Sequence, residues 1–162
     1  MHLKRKGFTL IEMVVVILIV GILSSLALPN YRRSVERARV AEAQTLLRAI
    51  YDSCERFAWE NGKNNCAASV VSTEESSRAT FRKLDIAAKG TFSTDGKTLS
   101  TGNFNYNLTG VVATPVTAVA TKGAYTGASI TFSGQNFACT AGSATAEAAK
   151  ACEVWGASTW NL

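Results

Sequence analysis

Histidine is almost absent from this chain, and acidic residues are scarce towards its C-terminus. The single histidine is His2, so residues 3–162 contain no imidazole that could act as a general base near neutral pH. Beyond residue 100 the acids are Glu147 and Glu153 alone, too few to enclose a hard cation such as Ca²⁺. The sequence also lacks a Gly-x-Ser-x-Gly nucleophile elbow and a glycine-rich phosphate loop. We therefore expect no enzymatic activity, no cofactor and no metal site.

Lysine and arginine are missing between residues 8 and 31, directly after the basic residues 4–6. Over residues 8–28 the polar side chains are those of Thr9, Glu12, Ser24 and Ser25. As a helix these 21 residues would be about 31 Å long, which matches the apolar thickness of a bilayer. A carboxylate costs about 2.5–3.5 kcal/mol at the bilayer centre and less near its surface. Glu12 is therefore a candidate functional residue that needs a cationic partner.

A cleavable secretory signal peptide is the alternative interpretation of this segment. Its basic region would be residues 1–6, its apolar region 13–23, and Ser25-Leu26-Ala27 an acceptable cleavage site. Two features argue against it. Glu12 has no use at the head of such an apolar region, and the helical pattern continues beyond Ala27 without a break.

The continuation over residues 30–61 has the spacing of an amphipathic helix. Residues at intervals of three and four form one predicted apolar stripe: Tyr31, Val35, Ala38, Ala41, Thr45, Leu46, Ala49, Ile50, Ser53 and Phe57. Asn61-Gly62 is a typical helix end. Together with residues 8–29, this predicts one helix of more than fifty residues.

Gly21 and Pro29 weaken the predicted helix at two places. Glycine costs about 1 kcal/mol relative to alanine, and an internal proline about 3 kcal/mol or more. Both residues are also commoner in membrane helices than in soluble ones. We expect residues 21–29 to bend or unwind locally.

The remaining residues predict a small antiparallel sheet. Residues 62–90 suggest a loop with a short helical piece near 74–89. Alternation or β-branched composition predicts strands over 104–108, 129–133 and 137–140, with a further strand over 112–121 that Pro115 interrupts at an edge or a bulge. Residues 145–152 suggest a helical turn or two. The fold class is therefore α+β: a long helix packed on a small antiparallel sheet of three to four strands.

Four cysteines follow the apolar segment: Cys54, Cys66, Cys139 and Cys152. Their spacing matches no zinc finger or ribbon, whereas an even number in a small exported domain indicates two disulfide bonds and an oxidising compartment. Three connectivities are possible, and closure entropy favours the two short loops, Cys54–Cys66 and Cys139–Cys152.

The net charge of +5 gives little indication of nucleic-acid binding, because residues 4–6 supply three of the charges. Arginines 32, 33, 37 and 39 follow the apolar segment, and by charge count they slightly favour a cytoplasmic C-terminal side. The cysteines favour the opposite side. We expect these arginines to contact lipid headgroups or neighbouring subunits, with nucleic-acid binding left open.

The sequence Lys6-Gly7-Phe8-Thr9-Leu10-Ile11-Glu12, followed by an unbroken apolar helix, resembles the processing and methylation signature of type IV prepilins. The resemblance is densest over residues 4–39 and continues as architecture through the sheet and the C-terminal cysteine pair. It implies a leader of residues 1–7, a transmembrane and assembly helix of residues 8–29, an amphipathic half of residues 30–61 and a globular domain of residues 62–162.

The resemblance also implies roles for single residues. A prepilin peptidase would cut between Gly7 and Phe8 and methylate the new amine of Phe8. Glu12 would pair with the Phe8 amine of a neighbouring subunit, although a pair within one chain is the simpler alternative. The helix would loosen between Gly21 and Pro29 on assembly.

Cys139 and Cys152 would then bracket an outward-facing loop of the subunit. The implied partners are other copies of the chain, the inner-membrane assembly machinery and, before assembly, membrane lipid. A pseudopilin of a type II secretion system and a minor pilin are the alternatives to a main pilus subunit used in adhesion, twitching motility or DNA uptake.

Overall fold

The computed structural model describes residues 7–155 and the backbone of residues 159 and 160. The basic residues 4–6 of the predicted leader therefore lie outside the described residues. The chain forms two compact units, Met1–Val35 and Glu36–Leu162. One helix, α1 (Leu10–Glu60, 51 residues), contributes to both units, which confirms the single long helix.

In the second unit, α1 packs its buried face on the sheet. The buried side chains are Val40, Ala43, Leu47, Ile50, Ser53, Cys54 and Ala58. The predicted stripe was wrong in phase, because only its members Ile50 and Ser53 are buried. Alanines occur on several sides of this helix, so a spacing of three and four fits more than one face.

Within residues 7–155 and 159–160, the sheet has seven antiparallel strands whose spatial order follows the chain. They are β1 (Thr91–Phe92), β2 (Thr98–Ser100), β3 (Phe104–Leu108), β4 (Val116–Ala120), β5 (Ser129–Phe132), β6 (Phe137–Thr140) and β7 (Thr159–Trp160). The predicted count of three to four strands was too low, because β1, β2 and β7 have only two or three residues each. Such strands are too short for alternation to be recognised.

Two further predictions about this unit were wrong. Pro115 precedes β4, which lies between β3 and β5 and is neither an edge strand nor interrupted. No helix occurs at residues 74–89, where the chain forms turns; the short helix α2 (Cys66–Val70) precedes them, and Asn65 Oδ1 caps it by accepting from the Ala68 amide at 2.8 Å. A 3-10 turn (Ala148–Lys150) leads into α3 (Ala151–Trp155) at the predicted helical position.

The core lies between α1 and the sheet. On β3 and β4 every second side chain is buried, and Tyr106 at the centre of β3 is only 2% exposed. Its burial raises the pKa of the Tyr106 phenol to about 12. Trp155 of α3 closes one end of the core against Phe104 and Tyr125, with ring centroids 6.2 and 6.0 Å apart.

Candidate functional site

The candidate site begins where the chain enters α1. Gly7, Phe8 and Thr9 are exposed and precede the first helical residue, Leu10. The carbonyl of Thr9 accepts the amide of Met13 at 3.3 Å, which makes Thr9 the N-cap residue. A Cβ atom added at Gly7 would meet no atom within 4 Å, so local packing does not require glycine at this position.

Glu12 and Thr9 form a pair of reciprocal hydrogen bonds. The Thr9 amide donates to Glu12 Oε2 at 3.4 Å, and the Glu12 amide donates to Thr9 Oγ1 at 3.3 Å. This is a capping box, in which an N-cap threonine and a glutamate three residues later satisfy each other's backbone donors. The sequence analysis missed it, although Thr9-x-x-Glu12 is its recognisable pattern.

The surroundings of Glu12 contain no cation from its own helix segment. Glu12 is exposed and is the only charged residue between positions 8 and 31. With Gly7 still attached, the Phe8 nitrogen is a neutral peptide amide. Pairing of Glu12 with a Phe8 amine, within one chain or between two, therefore stays a prediction.

Large apolar side chains cover the first unit's helix on all sides. From Leu10 to Leu28 their exposed fractions range from 45% for Met13 to 83% for Leu10. Among the described residues, α1 is the helix that is long and apolar enough to cross a membrane. In water such a surface would be strongly unfavourable, so it requires lipid or other apolar helices around it.

The two predicted weak points lie within continuous helix. A built Cβ at Gly21 meets nothing within 4 Å, and Pro29 lies inside α1. Near Pro29, Ser25 Oγ donates to the Ile22 carbonyl at 2.7 Å, and Asn30 Nδ2 donates to the Leu26 carbonyl at 3.5 Å. Loosening of residues 21–29 stays a prediction about the assembled state.

The four cysteines form the two short-loop disulfide bonds. Cys54–Cys66 joins α1 to α2 with a Cα–Cα distance of 5.1 Å, and both residues are fully buried. Cys139–Cys152 joins β6 to α3 at 5.7 Å, and both residues are half-buried. The second bond thus fastens the C-terminal segment to the sheet.

The arginines beyond the apolar segment have different surroundings. Arg37 Nε donates to the Val154 carbonyl at 3.1 Å, and Arg39 pairs with Glu36 at 2.6 Å. Both are engaged within the second unit. Arg32 and Arg33 belong to the first unit and are exposed.

The chain is similar in sequence to known proteins over part of its length. Residues 2–28 match the prokaryotic N-terminal methylation motif. Over 75 residues the chain is 43% identical to the type IV major pilin protein PilE1 of Neisseria gonorrhoeae, covering 44% of this chain and 46% of the relative. Over 68 residues it is 35% identical to the type IV major pilin protein PilA of Myxococcus xanthus (strain DK1622), covering 42% and 31% respectively.

A fimbrial protein of Moraxella nonliquefaciens is 57% identical over 42 residues, covering 26% of this chain and 27% of the relative. The chain thus spans less than half the length of these relatives. No solved structure matches it. Over the part of the sequence that they match, the chain is therefore similar to the methylation motif and to these type IV pilins and fimbrial proteins.

Proposed function

We propose that this chain is the structural subunit of a type IV pilus. A prepilin peptidase removes residues 1–7 and methylates Phe8, and the inner-membrane assembly machinery then builds the subunits into a helical, homopolymeric surface filament. Before assembly the subunit is held in the inner membrane by residues 8–29, with its cysteine-containing domain on the oxidising side. The subunit itself catalyses no reaction.

The observation that carries this proposal is an exposed apolar helix with one carboxylate near its start. The apolar surface from Leu10 to Leu28 fits lipid before assembly and neighbouring helices afterwards. Because both surroundings are apolar, the hydrophobic effect contributes little to the transfer between them, and packing and polar contacts must direct it. Glu12 is the charged group available for that purpose.

Removal of the leader creates the cation that Glu12 lacks. The new α-amine of Phe8 lies one helical turn from Glu12 in its own chain, and in a staggered array the amine of a neighbour approaches equally well. An ion pair in such surroundings contributes little net stability but specifies register. We assign Glu12 this registering role between subunits.

Two other parts of the chain support assembly in this proposal. Gly21 and Pro29 allow the helix to unwind locally when subunits pack. Glycine has a low helix propensity, and Pro29 has no backbone amide to donate to a helical hydrogen bond. The loop closed by Cys139 and Cys152 faces outward on the filament. The names of the relatives favour a main pilus subunit over the secretion pseudopilin and the minor pilin.

Substitution of Glu12 tests the proposal directly. We expect Glu12→Ala to leave the chain inserted in the membrane while sheared filaments, counted by electron microscopy, fall by an order of magnitude or more. Loss of one partner from a desolvated ion pair costs about 3–5 kcal/mol, which is ample for that loss. Glu60→Ala, an exposed glutamate at the other end of α1, is the matched control and keeps normal filaments. Normal filaments from Glu12→Ala would contradict the registering role.

A further inference from the structure

The hydrogen bonds of Glu12 point to a role that precedes leader removal. We propose that the Thr9–Glu12 capping box fixes the start of α1 in the uncleaved precursor and so keeps the Gly7–Phe8 bond outside the helix, where a peptidase can reach it. The effect on cleavage rests on the proposed function, whereas the capping itself does not. Thr9 is a positioning residue in this scheme, because it acts through the backbone rather than on the reacting bond.

The geometry shows what the capping box prevents. If α1 began further back, the Glu12 amide would donate to the Phe8 carbonyl and the Ile11 amide to the Gly7 carbonyl. In the structure the Glu12 amide donates to Thr9 Oγ1 instead, and the first helical bond runs from the Met13 amide to the Thr9 carbonyl. The carbonyl of the bond to be cut, that of Gly7, is thus kept out of the helical pattern.

The position of the helix in the membrane makes this capping important. The first amides of any helix lack helical acceptors, and an unsatisfied amide is unfavourable in an apolar medium. Without a cap, an apolar helix gains by extending backwards until its free amides reach water. That extension would draw Phe8 and Gly7 into helix.

Glu12 therefore has two successive partners in this account. Before cleavage its carboxylate accepts the Thr9 amide and benefits from the positive end of the helix dipole. After cleavage it pairs with the amine of Phe8. A glutamine at position 12 separates the two roles, because a capping box accepts either Glu or Gln but glutamine has no charge.

The first test locates the helix start in the full-length precursor. Amide hydrogen exchange, measured by NMR on the precursor in detergent micelles, reports each half of the box. We expect Thr9→Val, which keeps the branched shape but loses the hydroxyl, to lower the protection of the Glu12 amide by about fivefold. Thr9→Ser restores it. The Thr9 amide loses protection in Glu12→Ala and keeps it in Glu12→Gln.

The second test measures leader removal with a prepilin peptidase in proteoliposomes. We expect slower initial cleavage, again by about fivefold, for Thr9→Val and Glu12→Ala, and near-normal cleavage for Thr9→Ser and Glu12→Gln. Glu12→Gln should then be cleaved but fail to assemble.

Three results would overturn the inference: unchanged protection of the Glu12 amide in Thr9→Val, normal cleavage of Thr9→Val, or cleavage of Glu12→Gln as slow as that of Glu12→Ala. Failure of the peptidase to cut any version, the natural sequence included, would refute the processing proposal instead, and the exchange data would still decide whether the box exists.

Discussion

Single residues are constrained in this chain by backbone conformation and by the room beside them. Gly134 combines both constraints, with φ at +92° and a built Cβ only 2.5 Å from Tyr51 Oη. Tyr51 cannot move freely, because its ring packs edge-on against Phe132 with centroids 5.2 Å apart. The loop between β5 and β6 is thereby held against α1.

Alanine at Gly134 should destabilise the fold more than alanine at Gly123. Both glycines have positive φ, but a Cβ at Gly123 meets nothing within 4 Å. The backbone penalty of about 1–2 kcal/mol is common to both, and displacement of Tyr51 adds about 1–3 kcal/mol at Gly134 alone. Guanidinium unfolding of the full chain in detergent, followed by tryptophan fluorescence, measures the difference. Equal losses of unfolding free energy in the two variants would contradict this expectation, because they would show that displacement of Tyr51 does not destabilise the fold.

For single residues, the sequence pattern indicates an isolated charge more clearly than it indicates a hydrogen bond. Glu12 stands out in the sequence because it is a lone acid among aliphatic side chains. Thr9 stands out less, because the Thr9-x-x-Glu12 pattern is compatible with a capping box but identifies one only when the helix begins directly after Thr9. The first helical residue, Leu10, meets that condition.

For the long helix, the sequence predicts the length that the structure shows but not the face that is buried. Its length follows from continuous helical periodicity and from the end at Asn61-Gly62. The buried face of the helix cannot be predicted in the same way, because the alanines allow more than one apolar stripe. Cys54 was the available clue, because a cysteine bonded to Cys66 must face the domain; stepping back by three and four residues gives Ile50, Leu47 and Ala43.

Two adjacent leucines test that phase. Leu47 is fully buried and Leu46 is half-buried. Truncation to alanine therefore removes core packing at Leu47 and only peripheral packing at Leu46. We expect Leu47→Ala to lower the free energy of unfolding by about 2–5 kcal/mol and Leu46→Ala by less than about 2 kcal/mol. Chemical denaturation of both variants in the same detergent gives the comparison. A larger loss of unfolding free energy in Leu46→Ala than in Leu47→Ala would contradict the buried face assigned to α1.

The sheet shows a second limit of sequence patterns. Strands of four or five residues were recognised, whereas β1, β2 and β7 are held by pairing with a neighbour rather than by their own composition. The sequence predicts an interruption at Pro115, because composition does not fix where a strand begins to within one residue. It lies just before β4, where a missing amide does no harm.

The two disulfide bonds should differ in their susceptibility to reduction. Their loops are nearly equal, with sequence separations of 12 and 13, so chain entropy does not distinguish them. Burial distinguishes the two bonds, because Cys54 and Cys66 are inaccessible to solvent whereas Cys139 and Cys152 are half-exposed. Under native conditions we expect dithiothreitol to open Cys139–Cys152 first. Alkylation and peptide mapping identify the order, and prior opening of Cys54–Cys66 would contradict the assigned burial.

For the whole molecule, one helix meets two kinds of surroundings. From Leu10 to Leu28 it is apolar on every side, and from Val40 to Ala58 it is apolar on one face that covers the sheet. The first arrangement suits an apolar environment such as lipid, and the second completes a small domain that two disulfide bonds cross-link. Under the proposed function, both arrangements are needed, because the subunit leaves a membrane to enter a filament.

The proposed function depends on leader removal, because cleavage after Gly7 would create the amine that Glu12 lacks. Intact-mass spectrometry of the chain recovered from producing cells tests it most directly. We predict an N-terminus at Phe8 carrying one added methyl group. An N-terminus at Leu28, as a signal peptidase would leave, or an uncut chain beginning at Met1, would contradict the account.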